Sequence, residues 1–171
     1  MRGRRLAYLA SALAIASAAV SVFWTLGGTW LLDTVGGSIE ELARTRSPSA
    51  VALGTAASLA KVGAALLALA LVRPWGRHLP ARVLVGANMF ASVVLVTWGG
   101  ANVLAGALAL TGAVSPADGL NERALLWHVF VWDLWFLFWG AALALALLGF
   151  RRAKGTTVGR RRVAGDGEPA T

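Results

Sequence analysis

Polar side chains nearly vanish from four long stretches of this chain, and those stretches set its architecture. The apolar runs lie at about Leu6–Leu26, Val51–Val72, Val83–Thr111 and Ala124–Phe150. Each exceeds the ~20 residues a helix needs to cross a ~30 Å hydrocarbon core. The connections are short, so the pattern predicts an all-α fold: an integral membrane four-helix bundle over residues 1–150. The remaining residues, 151–171, are rich in Gly, Arg and Thr and are expected to form a disordered basic cytoplasmic tail. The third and fourth runs are longer than a span requires and should tilt, kink or project. Gly99-Gly100 is the expected bend point.

Between the first two runs, Ser38-Ile39-Glu40-Glu41 has capping-box spacing. It predicts a short amphipathic helix in the first outer loop, ending near Arg46 before the breaker Ser47-Pro48-Ser49. Pro80 stands at the start of the third span, and Ser115-Pro116-Ala117-Asp118 begins the approach to the fourth.

Composition agrees with membrane burial. The chain is 57% hydrophobic and 14% charged, too few charges for the surface of a soluble domain. Its net charge of +8 does not imply nucleic acid, because the basic residues flank apolar runs and do not form a face with interleaved aromatics. There is no cysteine, which excludes disulfides and thiol chemistry. His78 and His128 fall on different segments, so no metal site is expected, and no cofactor motif is present. Gly155-Thr156-Thr157-Val158-Gly159 lacks the Lys-Ser/Thr of a phosphate loop.

The charges also give an orientation. Twelve Lys and Arg residues lie in the N-terminus, second loop and tail, against Arg44, Arg46 and Arg123 in the first and third loops. The positive-inside rule then places both termini in the cytoplasm of a bacterial cell membrane. An alternative makes the first run a cleaved leader ending at Ala16-Ser17-Ala18, although the run continues to Leu26.

Two charges remain inside the spans. Lys61 lies ten residues beyond Val51, and Asp133 nine beyond Ala124, so each sits roughly 13–15 Å deep at 1.5 Å per residue. A charge at such depth costs several kcal/mol and usually has a partner or a task. Their equal depth predicts an ion pair between the second and fourth helices. On a regular helix Asp133 shares a face with Val129, Leu137, Gly140 and Ala144. His128, Trp132, Trp135 and Trp139 form a second stripe about 130° away, so His128 and Asp133 are not expected to meet on their own helix. Trp75, Trp127 and Trp139 lie near run ends and read as interfacial anchors, whereas Trp132 and Trp135 are deeper. Ser17, Ser21 and Thr25 make a stripe that reads as close helix packing with hydroxyls bonded back to the backbone. Asn88 and Asn102 are expected to bond across helices. Asn102, Trp98 and His128 weight the polar inventory toward the outer half.

Trp24-Thr25-Leu26-Gly27-Gly28-Thr29-Trp30-Leu31-Leu32-Asp33 is an unusual string, as is Trp132-Asp133-Leu134-Trp135-Phe136-Leu137-Phe138-Trp139-Gly140. With four spans and this length, the chain resembles a bacterial, mainly actinobacterial membrane protein family catalogued as domain of unknown function 3995. The likeness covers about Leu6–Phe150, supports four spans and implies no activity. Asp33 is expected to cap the exit of the first helix or to face an outer cavity.

These residues point first to a binder of a small hydrophobic molecule or lipid in an outer-facing intramembrane cavity. Trp98, Trp132 and Trp135 would wall it, and Lys61, Asp133 and His128 would orient the polar end, with Asn102 and Asp33 as further contacts. The alternatives are an isomerase- or cyclase-like enzyme using Asp133 as its acid, a proton-coupled transporter, and a structural subunit. Expected partners are the lipid bilayer and that hydrophobic molecule, with a homo-oligomer as a further option and no nucleic acid.

Overall fold

The computed structural model describes residues 2–115 and 121–165, with side chains as far as Ala153. Its helices follow the apolar runs: α1 (Arg2–Thr25), α2 (Gly37–Thr45), α3 (Pro48–Ala70), α4 (Ala81–Leu110), α5 (Glu122–Trp127) and α6 (Asp133–Gly165). A π-helical turn, His128–Trp132, joins α5 to α6 in one rod, and 3-10 turns occupy Leu32–Thr34 and Pro74–His78. Four helical segments, with α5 and α6 counted as one, are long and apolar enough to cross a membrane. Among the described residues there is no strand, so the all-helical, four-span expectation is met.

Local chemistry places the helix ends. Ser47 accepts the Ala50 N–H at 3.2 Å, with Pro48 at the first helical position of α3. Asn121 accepts the Ala124 N–H at 2.8 Å and starts α5. The capping-box expectation fails in detail. The α2 N-cap is Gly36 and Ser38 lies inside the helix, because Gly36 and Gly37 both adopt positive φ and turn the chain earlier. Helix α6 continues to Gly165, past residue 151 where the tail begins. Residues 166–171 and Pro116-Ala117-Asp118 lie outside the described residues.

Helix α1 packs along both α3 and α6, and α4 packs along α6, whereas α3 and α4 touch only briefly. The seam of α1 is small: Ala7, Ala10, Ser11, Ala14 and Ala18 are buried. Close approach of backbones replaces the hydrophobic drive that lipid cannot supply. Ala7, Ala10 and Ala14 meet Ala65, Ala68, Leu84, Trp139, Leu143 and Ala146 in one cluster, all in the half of the bundle nearest the chain termini. Trp139, expected at an interface, is buried there and 6.3 Å from the Phe136 ring. Asn88 donates across helices to the Leu67 carbonyl at 3.2 Å, as expected.

The α4–α6 contact rests on two glycines. Helix α4 runs unbroken through Gly99-Gly100, and Gly99 is where its backbone meets α6. A Cβ there would lie 2.6 Å from the Leu137 nitrogen and 2.7 Å from the Asp133 carbonyl oxygen. Gly140 reciprocates, with a Cβ falling 2.8 Å from Leu95 and 2.9 Å from the Val96 nitrogen. Gly63, by contrast, has no neighbour within 4 Å of an added Cβ. Gly99→Val should therefore cost about 1–3 kcal/mol through overpacking. Gly63→Ala should be neutral or stabilising by up to ~1 kcal/mol. Unfolding in detergent of both variants beside the wild type checks the contrast.

Candidate functional site

In the half of the bundle away from the termini the helices separate, and a cavity of about 340 Å³ opens between α1, α3, α4 and the α5–α6 rod. Its walls are Ser17, Ser21, Trp24 and Thr25 of α1; Gly54, Ala57 and Lys61 of α3; Trp98 and Asn102 of α4; and His128, Trp132, Asp133 and Phe136 of the rod. Helix α2 lies across the end. It is charged on one face and presents Ile39, Leu42 and Ala43 to the cavity on the other. Arg46, just past its end, stands at the rim and donates to the Leu26 carbonyl at 3.2 Å. Helices α3 and α4 touch only briefly, and the cavity residues Leu53 of α3 and Trp98 of α4 are 59% and 63% exposed.

Lys61 and Asp133 both reach this cavity but do not pair. Asp133 Oδ2 lies 2.9 Å from His128 Nδ1, and among the described residues no carboxylate forms a salt bridge with Lys61. The two helices that carry these charges stand on opposite walls and do not pack along one another. The Lys61 ammonium donates to Ser21 Oγ at 2.6 Å and lies 5.8 Å from the centre of the Phe136 ring. The expected ion pair is thus replaced by two separate polar centres.

The His128–Asp133 contact, excluded by regular helix geometry, exists because the helix there is not regular. Residues five apart on an α-helix point about 140° apart, whereas a π-helix closes its hydrogen bonds between i and i+5 and brings such side chains onto one face. The π turn His128–Trp132 supplies that extra residue. Hydrogen accounting then fixes the roles. The Val35 carbonyl, 2.8 Å from His128 Nε2, can only accept, so Nε2 carries a proton. The short Nδ1–Oδ2 contact needs one further proton between two lone pairs. Imidazolium with carboxylate, or imidazole with carboxylic acid, satisfies it equally. Either way the dyad holds one shared proton and has no net charge.

The same turn anchors the loop after α1. Trp132 Nε1 donates to Thr34 Oγ1 at 3.1 Å, and Thr34 Oγ1 donates to the Leu31 carbonyl at 2.6 Å. Leu31 holds a left-handed backbone, φ 58°, which costs about 1–2 kcal/mol for a residue with a Cβ. Trp24 meets the Trp132 ring edge-on at 5.5 Å and donates from Nε1 to the Trp30 carbonyl at 2.9 Å.

Of the residues singled out from sequence, Lys61, Asp133, His128, Trp98, Trp132 and Asn102 line the cavity. Two do not. Trp135 turns toward α1 and donates to the Leu13 carbonyl at 3.2 Å, fastening two helices. Asp33 forms an exposed ion pair with Arg123 at 2.9 Å, because the 3-10 turn directs it to the first turn of α5. Asn102 bonds within its own helix, to the Trp98 carbonyl at 2.8 Å, and not across helices. Sequence reasoning missed Ser21, Phe136, Arg46 and the α2 face as cavity residues. The Ser17–Thr25 stripe, on sequence grounds a packing surface, does more than pack. Thr25 does bond back to the Ser21 carbonyl at 2.7 Å and meets Gly54, but the stripe also forms a cavity wall.

The chain belongs to the family described as protein of unknown function (DUF3995), whose model matches residues 14–143. That match takes in every cavity-lining residue. No curated protein and no solved structure matches the chain.

The geometry predicts which charges are coupled. In a double-mutant cycle on unfolding in nanodiscs, His128→Ala and Asp133→Asn should show a coupling of roughly 0.5–3 kcal/mol, as contacting polar groups do. Lys61→Met and Asp133→Asn should add within about 0.5 kcal/mol. Additivity in the first cycle would remove the dyad.

Proposed function

We propose that this is a multi-pass protein of the bacterial cell membrane, with both termini cytoplasmic, that binds a small hydrophobic molecule or lipid in the cavity beside α2. The supporting observation is a chamber whose walls are mostly apolar and whose few polar groups, Lys61 and the His128–Asp133 dyad, converge on one space. Binding cavities for small molecules have this character: about 300–1,000 Å³, aromatic-walled, with a few placed polar groups. The brief α3–α4 contact, with exposed Leu53 and Trp98 lining the cavity from either helix, supports entry from lipid between these helices. The orientation rests on the excess of basic residues at the termini end.

One observation favours a second reading, an isomerase- or cyclase-like enzyme. Asp133 is shared with His128 and not held by Lys61, so the dyad presents a transferable proton beside the Trp24 and Trp132 rings.

Ala57→Trp, on the exposed α3 wall, should fill the chamber with little effect on folding. The test is organic extraction of the purified protein followed by mass spectrometry. The wild type should carry an enriched amphiphile, depleted several-fold in Ala57→Trp. An extract identical for both proteins would sink the binding reading. The enzymatic reading adds that the extracted molecule occurs as two isomers with the wild type and as one with Asp133→Asn.

A further inference from the structure

We propose that the molecule taken up by this cavity is a single-chain amphiphile with a singly charged carboxylate head, held by Lys61. The inference rests on the binding reading above and names its ligand class.

The charges lining the cavity are few enough to assign one by one. Asp133 is committed to His128, and with their shared proton the two sum to zero. Arg46 stands at the rim and donates to a backbone carbonyl. Lys61 is left. Its ammonium meets a hydroxyl and the face of an aromatic ring, two contacts that satisfy donors without cancelling charge. Among the described residues no carboxylate reaches it. The cavity therefore holds one amine that no carboxylate among the described residues pairs with inside, and a second basic side chain, Arg46, at its rim.

Position strengthens the point. Of the cavity residues on α3, Ala50 is nearest α2 and Lys61 farthest from it, eleven residues along. That span is about 16 Å at 1.5 Å per residue. The charge lies at the floor of the chamber, near the middle of the span and beyond easy reach of either interface. An ammonium at this depth is expensive unless an anion joins it. A ligand carboxylate would take the free donor capacity of Lys61 and cancel its charge in the low-dielectric interior, where such contacts are strong.

The rest of the cavity selects against other heads. A neutral ligand leaves Lys61 as it is, and a cation is repelled by both Lys61 and Arg46. A zwitterion would need a second, negative partner, and the cavity's carboxylate is already taken by His128. The walls are mostly apolar, with Val20, Trp24, Leu53, Ala57, Trp98 and Phe136 outweighing the few hydroxyls and Asn102. They suit a hydrocarbon chain running from Lys61 toward Leu53 and Trp98. A volume of about 340 Å³ is at the small end of ligand cavities and favours one chain over two.

The test uses the full-length protein in nanodiscs of zwitterionic lipid at pH 8, with tritiated hexadecanoate and tritiated hexadecanol as probes. The wild type should bind hexadecanoate at least about ten-fold more tightly than hexadecanol, the size expected for a charge-assisted contact. Lys61→Met should abolish that preference while retaining hexadecanol binding, and Lys61→Arg should keep it. Equal binding of the two probes by the wild type, which needs no variant to fold, would overturn the carboxylate assignment and leave the cavity reading standing. A preference that survives in folded Lys61→Met would overturn the role of Lys61. Binding of neither probe would remove both this inference and the cavity reading on which it rests.

Discussion

A carboxylic acid inside an apolar helix must keep a proton or find a partner, and the way Asp133 meets that demand organises half of the molecule. Its partner is His128, five residues earlier on the same rod. An α-helix cannot bring those two together, so the rod takes one π turn. The turn then aims His128 and Trp132 at the 3-10 segment Leu32–Thr34 and its neighbour Val35, fixing the loop that follows α1. Because Asp133 is satisfied on its own rod, α3 need not approach α6 to neutralise it. The space so left is the cavity.

The two halves of the bundle thus solve different problems. Near the termini, alanines on α1 and α3 let helices approach until little side-chain volume remains between them. Without a hydrophobic drive in lipid, this packing holds the bundle. In the other half Ser17, Ser21, Trp24 and Thr25 of α1, Trp98 and Asn102 of α4 and Trp132 of the rod face a cavity instead. Gly99 and Gly140 keep α4 on α6 across the boundary, so the brief contact is the one between α3 and α4. Trp135, bonded to the Leu13 carbonyl, ties α6 to α1. One half supplies rigidity to the wall residues of the other, as a site requires. The amphipathic α2 closes the end with its apolar face turned inward.

Much of the site was visible residue by residue without being visible as a site. Lys61, Asp133, His128, Trp98, Trp132 and Asn102 could be named because polar or aromatic groups deep in apolar runs are costly and stand out. Trp135 had the same signature, yet it serves a helix–helix bond, and Asp33, beyond the first run, serves an exposed ion pair with α5. Depth alone does not separate these roles. Ser21 was hidden because a hydroxyl in a small-residue stripe looks the same whether it faces a helix or a void. One clue was overlooked: two polar residues at i and i+5 within an apolar span are out of phase on an α-helix, which invites a π turn.

The sequence by itself determined the number of spans, the short helix after α1 and the presence of two charges within apolar runs. These follow from hydropathy, from capping and breaking residues, and from the cost of ionised groups in hydrocarbon, all of which act locally along the chain. Only the tertiary structure decided which groups those charges meet. Equal depth made a Lys61–Asp133 pair look natural, but depth is one coordinate of three. The azimuth of Asp133 was reset by a single extra residue in the π turn, and the distance between α3 and α6 was set by how closely α1 packs against each. Both depend on contacts between segments far apart in sequence, which no local rule encodes.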